Sequence, residues 1–114
     1  MALGEGDIIE VDVDDAVGHE QRGRRPVLIV SVSALTSALD LAIVCAITTH
    51  GGRAEAPRND LEVSIPPALP VKGVILPHQL RTIDCAARRA SKRCTVPRAT
   101  LQATRARLKT LLGI

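Results

Sequence analysis

Two segments of this 114-residue chain concentrate the side chains that acid–base and anion-binding chemistry requires. The first, Gly18-His19-Glu20-Gln21-Arg22-Gly23-Arg24-Arg25-Pro26, brings carboxylate, imidazole, amide and guanidinium groups together at the entrance of a candidate strand. The second, Pro77-His78-Gln79-Leu80-Arg81-Thr82-Ile83-Asp84, carries polar groups in an alternation that suits one face of a strand. Thr48 and Thr49 end another candidate strand and can present hydroxyl groups at the same edge.

The composition narrows how such a site can work. The chain has no Phe, Tyr or Trp, so its core is aliphatic and no base can stack on an aromatic ring. Any nucleic acid must then be bound through charge, hydrogen bonds and arginine planes. His19, His50 and His78 lack metal-ligand spacing, and three cysteines without a C-x-x-C motif favour free thiols over disulfides or zinc. We therefore expect no metal and no other cofactor.

Charge is distributed unevenly along the chain. Residues 1–80 carry 6 basic and 11 acidic residues, whereas residues 81–114 carry 9 basic residues and 1 acidic residue. A basic C-terminal third suits an anionic partner. A solvated basic helix explains the same charges equally well, so charge alone does not decide between them.

The elements that must position these groups are mostly short strands. Apolar alternation and Pro/Gly punctuation predict strands over residues 8–13, 26–32, 41–48, 61–65, 73–76, 79–84 and 92–96. Pro26 is expected at the first position of its strand, and Ser33 is expected to cap a short helical turn. One long helix is predicted over residues 97–112. We interpret residues 1–114 as a single α+β, mostly β domain: a small twisted β-barrel with a C-terminal α-helix.

Targeting signals are not recognisable in the sequence. No apolar run approaches the roughly 20 residues of a membrane span. The N-terminus has neither the basic start nor the apolar stretch of a secretory signal. A cytoplasmic protein with no membrane contact is the expectation.

Five pieces of the sequence resemble one family of bacterial toxins. Gly6-Asp7-Ile8-Ile9, Gly18-His19-Glu20-Gln21 and Arg25-Pro26-Val27-Leu28-Ile29-Val30 look like the signature of the MazF/PemK (Kid) toxins. Ala46-Ile47-Thr48-Thr49 and Gln79-Leu80-Arg81-Thr82-Ile83-Asp84 follow in the order and at the distances that this family shows, and a helix after Thr95-Val96-Pro97 completes the pattern. The match covers nearly the whole chain.

The resemblance implies a fold, a reaction and partners. The family fold is an SH3-like (CcdB/PemK-type) barrel with a C-terminal helix, and it forms a homodimer. Family members are mRNA interferases: they cut single-stranded RNA at short sequences without metal, leaving a 2′,3′-cyclic phosphate and a 5′-hydroxyl. RNA supplies its own nucleophile, the 2′-hydroxyl, so the enzyme needs only a base, an acid and cationic donors. An antitoxin with an acidic, MazE-like C-terminal tail normally occupies the RNA groove.

The resemblance also assigns roles to individual residues. Arg25 aligns with the arginine before the family's proline and is the candidate to stabilise the transition state or to donate a proton to the leaving group, and Thr48 aligns with the active-site hydroxyl. Glu20 is a candidate base or a residue that orients Arg25. His78 stands where relatives carry an acidic residue, so the base can be His78, Glu20 or His19. The residues expected to bind RNA are His19, Gln21, Arg22, Arg24, Thr49, Gln79 and Arg81.

Two other functions stay open at this point. One is a non-catalytic toxin of the same superfamily, like CcdB, which binds gyrase. The other is a basic module that binds nucleic acid without cutting it, through the arginine-rich segment 88–109; it would show strong salt dependence. Arg25, Thr48 and Glu20 together favour the nuclease.

Overall fold

The computed structural model describes residues 3–13, 23–48, 57 and 59–114, which form one antiparallel sheet and two helices. The strands are β1 (Asp7–Val13), β2 (Gly23–Ile29), β3 (Leu41–Thr48), β4 (Val63–Ser64), β5 (Val74–Asp84) and β6 (Ser91–Thr95). The helices are α1 (Ser33–Leu39) and α2 (Arg98–Leu112). The strand order is β4-β5-β3-β2-β1-β6, so the predicted mostly-β fold with a C-terminal helix is confirmed.

The sheet buries apolar side chains on both faces because alternate residues of each strand point to opposite sides. On one face Ile8, Leu28 and Cys45 belong to a cluster that includes Leu101 and Leu108 of α2. The residues that alternate with them form a second cluster on the opposite face, which contains Ile9, Val11, Val27, Ile29, Ala42, Val44 and Ile83. Helix α2 therefore covers one face and leaves the other face available for a site. In the described part of the chain, no helix has the length and apolarity to cross a membrane.

Both helices start and end for local reasons. Pro97 precedes α2, where its missing N–H is harmless, and Gly113 ends the helix at φ 73°. The predicted helix over residues 97–112 is confirmed to within one residue. The prediction that Ser33 caps α1 is wrong, because Val32 occupies the N-cap position and no side-chain cap bond forms.

Proline placement explains where the strands differ from prediction. Pro26 is the fourth residue of β2, not the first. At Pro26 the strand is paired with β1 but not with β3, because the β2–β3 ladder begins at Val27. A proline is tolerated where a strand has a neighbour on one side only. Pro77 does not split β5 into two strands. The register shifts from Ala46↔Leu76 to Cys45↔Leu80, and this irregularity accommodates a proline that cannot donate to the ladder.

The turn before β1 ties the chain start to β6. Buried Asp7 accepts hydrogen bonds from Gly4 N (2.9 Å) and Thr95 Oγ1 (2.8 Å), and its carboxylate lies 3.4 Å from Lys92 Nζ. Gly6, at φ 86°, accepts a bond from Val96 N at 2.8 Å. The Gly6-Asp7 pair is therefore a junction between β1 and β6 and not part of the site.

The three cysteines are free thiols, and two of them are buried. One of the buried thiols, Cys45, is expected to make the stability of the protein depend on pH. Burial raises the pKa of Cys45 from 9.0 to about 12. As the pH rises above 9.0 the unfolded chain loses this proton first, so the free energy of unfolding falls towards pH 12. Between pH 8 and 11 we expect the urea midpoint to fall more steeply for the parent protein than for Cys45→Ala. Parallel pH profiles would contradict this.

Candidate active site

A cleft of about 670 Å³ opens on the sheet face opposite α2. It spans four adjacent strands, β5, β3, β2 and β1, and its floor is the aliphatic cluster of that face. The lining residues are Val11, Asp12, Val13, Arg25, Pro26, Val27, Val44, Ala46, Ile47, Thr48, Leu76, Gln79, Leu80, Arg81, Ile83 and Arg88. Polar groups thus stand around an apolar floor, which is the usual composition of a ligand site.

Strand register brings Arg25 and Thr48 into this cleft. The β2–β3 ladder ends at the pair Val27↔Ala46. Arg25 and Thr48 lie two residues beyond this pair, and alternation places both on the cleft side of the sheet. Pro26, between Val27 and Arg25, has no N–H to continue the ladder. The strands therefore stop pairing where the two side chains stand, and a gap opens between them.

Strand β5 supplies a second polar side to the cleft. Gln79 and Arg81 share the face of Ile83, which belongs to the cleft-side cluster, and both line the cleft. Arg81 is opposite Val44 of β3 in the ladder. The sequence-predicted residues Arg25, Thr48, Gln79 and Arg81 therefore share one site.

The histidine expected beside them does not line the cleft. His78 is exposed on β5 and is not among the described residues that line the cleft. Its role as the base stays a prediction. His19, Glu20, Gln21, Arg22 and Thr49 lie outside the described residues.

Arg24 has a different environment from its neighbour Arg25. Its guanidinium donates to Asp12 Oδ1 at 2.9 Å and to three further acceptors on β1 and β6 and the turn between β5 and β6. It is not among the cleft-lining residues. Adjacent strand residues point to opposite faces, which is why Arg24 is a structural group where an RNA contact was expected.

Arg88 is a cleft residue that sequence reasoning missed. It lies in the turn between β5 and β6, lines the cleft and donates from Nη1 to the backbone oxygen of Asp12 at 3.1 Å. The signals in the sequence are its place in the basic C-terminal third, which it shares with eight other cations, and at the start of the arginine-rich segment 88–109. Its approach to β1 depends on the turn, so spacing could not reveal it.

The electrostatics of the cleft favour an anion. Among the described residues that line it are three arginines, Arg25, Arg81 and Arg88, and one acidic residue, Asp12, whose carboxylate is paired with Arg24 at 2.9 Å. Low-dielectric apolar walls strengthen the field of such charges. Within the described ranges no three His, Cys, Asp or Glu residues are grouped so that they could hold a metal ion.

Comparison with known proteins identifies the family of this fold and cleft. Residues 4–112 match the family model described as PemK-like, MazF-like toxin of type II toxin-antitoxin system. The chain belongs to this toxin family. The endoribonuclease PemK of Escherichia coli is 35% identical over 108 residues, covering 94% of this chain and 80% of that protein. The endoribonuclease toxin MazF of E. coli K12 is 31% identical over 110 residues, covering 95% and 92%.

Solved structures of the PemK/MazF family share the whole fold. MazF from Deinococcus radiodurans aligns with a TM-score of 0.84 at 32% identity, covering 100% of this chain and 99% of that chain. The toxin in a MazE–MazF complex from the same organism aligns with a TM-score of 0.86 at 32% identity, covering 100% and 98%. The fold and toxin family inferred from the sequence are thereby confirmed.

Proposed function

We propose that this toxin, an endoribonuclease of the PemK/MazF class, binds single-stranded RNA in the cleft and cuts it at short specific sequences without a metal ion. The observation that carries the proposal is the convergence of Arg25 and Thr48 in one cleft. An enzyme with this activity is an mRNA interferase. We place its action in the cytoplasm.

The reaction needs no group beyond the RNA and the protein. The 2′-hydroxyl gives its proton to a base while its oxygen attacks the adjacent phosphorus. The bond to the 5′-oxygen breaks and that oxygen takes a proton from an acid or from water, so that a 2′,3′-cyclic phosphate and a 5′-hydroxyl result. The guanidinium of Arg25 binds the oxygens of the crowded phosphorane, where its fixed charge and planar donors match the developing charge. The hydroxyl of Thr48 donates a hydrogen bond to the same phosphate, and Gln79 and Arg81 bind the flanking nucleotides.

For the proton acceptor of the 2′-hydroxyl we favour the segment that precedes β2 in the chain. His78 is not among the described residues that line the cleft, which favours Glu20 and His19 as candidates over His78. Val13, which directly precedes residues 14–22, lines the cleft, and so does Arg25, three residues after them. The segment that carries Glu20 and His19 is therefore connected in the chain to cleft residues on both sides. Gln21, Arg22 and Thr49 complete the proposed RNA contacts.

The proposed partners follow from the same charges. The MazE–MazF complex among the structural relatives supports a cognate antitoxin for this chain too, whose acidic tail would compete with RNA for the arginines of the cleft. A homodimer, as in the family resemblance, completes the proposed assembly.

The experiment is incubation with a long RNA in excess EDTA. We expect cuts at defined sites, cyclic phosphate at the new 3′ ends, and no cut at a site whose attacking 2′-hydroxyl is replaced by hydrogen. Intact RNA that is nevertheless bound would favour a non-cleaving nucleic-acid module. Intact and unbound RNA would favour a CcdB-like, protein-binding toxin.

A further inference from the structure

We propose that Arg24 is a positioning residue, which holds the turn between β5 and β6 against the end of β1 and so fixes Arg88 as an RNA-binding cation in the cleft. This inference rests on the proposed binding of RNA there. The inference gives a role in RNA binding to two arginines that do not touch the scissile phosphate. Arg88 binds RNA, and Arg24 positions Arg88.

The guanidinium of Arg24 joins three segments of the chain. Nη1 donates to Asp12 Oδ1 at 2.9 Å, while Nη2 donates to Glu10 O at 2.8 Å on β1. Nη2 also donates hydrogen bonds to Arg89 O at 2.6 Å in the turn and to Ser91 Oγ at 2.8 Å at the start of β6. The β1–β6 ladder ends at Glu10↔Ser91, so Arg24 continues the connection where backbone pairing stops.

The turn held by Arg24 carries Arg88 into the cleft. Arg88 O accepts a bond from Asp12 N at 2.8 Å, and Arg88 Nη1 donates to Asp12 O at 3.1 Å. Asp12 therefore contacts Arg88 through its backbone and Arg24 through its carboxylate. The next residue, Arg89, has φ 54°, a conformation that costs free energy for a side chain other than glycine. Tertiary contacts such as the Arg24 bond to Arg89 O must stabilise it.

The position of Arg88 defines the direction in which RNA crosses the sheet. Arg81 is on β5, Arg25 on β2, and Arg88 contacts the end of β1, in the strand order β5-β3-β2-β1. At about 4.8 Å between strands, the row of three guanidinium groups spans about 14 Å across the strands. A single strand laid along this row places the cut phosphate at Arg25 and a neighbouring phosphate at Arg88.

The test measures binding and turnover separately. Binding uses a short RNA that contains a cleavage site with a 2′-deoxy nucleotide, which is not cut, over a series of salt concentrations. We expect Arg88→Gln to weaken binding about 10-fold and to reduce the slope of log K against log salt by about 0.7, the loss of one phosphate contact. On cleavable RNA the effect should fall on KM much more than on kcat. Arg98→Gln, an exposed arginine on α2 outside the cleft, is the matched control and should bind like the parent protein.

A double-mutant cycle then tests whether Arg24 acts through Arg88. Arg24→Gln should reproduce most of the binding loss, and Arg24→Lys should not restore it, since one ammonium cannot reach acceptors in three segments. Adding Arg24→Gln to Arg88→Gln should weaken binding less than 2-fold further. If Arg24→Gln lowers Tm too far for measurement, Asp12→Asn takes its place in the cycle, because it removes the ion pairs of Asp12 with Arg24 and Arg89 and keeps its backbone bonds to Arg88.

Additive effects of Arg24→Gln and Arg88→Gln, or a loss confined to kcat, would overturn the inference. So would unchanged binding in both variants while Arg25→Ala still abolishes cleavage, and that result would leave the proposed function intact. A parent protein that neither binds nor cuts RNA would instead remove the proposed function.

Discussion

Replacing Arg25 with alanine is expected to lower RNA cleavage by roughly a hundred- to a thousand-fold, the usual cost of removing one donor from a developing oxyanion. Arg25 lines the cleft together with Thr48, two residues beyond the last pair of the β2–β3 ladder. Arg25→Lys keeps the charge but loses the planar fork, so its activity should lie between those of the parent and Arg25→Ala. The rate is measured in EDTA with a short RNA containing one mapped site.

Two comparisons make the Arg25 result interpretable. Arg98→Ala removes an exposed arginine outside the cleft and should cut like the parent protein. The Tm of Arg25→Ala should stay within a few degrees of the parent value, because Arg25 stands beyond the end of the β2–β3 ladder. Cleavage reduced less than 3-fold in a folded Arg25→Ala protein would exclude this residue from catalysis.

Replacing Asp7 with alanine is expected to cost about 3 kcal/mol of stability, which for a domain of this length lowers Tm by roughly 10 °C. Asp7 is only 6% exposed, and its carboxylate accepts hydrogen bonds from Gly4 N and Thr95 Oγ1. Without it those two donors and Lys92 lose their partner at the junction between β1 and β6. Thermal unfolding followed by circular dichroism measures the shift.

The stability effect should depend on burial of the carboxylate and not on charge alone. Asp7→Asn retains one acceptor oxygen and should lose less than Asp7→Ala. Asp60→Ala removes an exposed carboxylate and should leave Tm nearly unchanged. An equal, small shift for Asp7→Ala and Asp60→Ala would show that the Gly6-Asp7 junction does not hold β6 in place.

Local patterns predicted the elements whose causes are local. The alternation in residues 41–48 matches β3, and proline and glycine at either end bound α2. The run from Leu61 to Ile65 was expected to be a full strand, yet only Val63–Ser64 pair, since pairing depends on β5 and not on propensity. Pro77 was expected to separate two strands. It lies within β5 instead, because the register shift between β3 and β5 that accommodates it cannot be seen in the sequence of β5 alone.

The chain alone predicts a small aliphatic β-fold with a C-terminal helix, and it makes Arg25, Thr48, Gln79 and Arg81 site candidates. These follow from residue type, spacing and family pattern, which are properties of the chain. The face that each cation occupies depends on how the strands are paired in the folded sheet. Arg24 and Arg25 are adjacent in the chain but separated by the sheet, and Arg88 reaches the cleft through a turn packed on β1. Alternation makes a one-residue difference a change of face, and the register that fixes it comes from neighbouring strands.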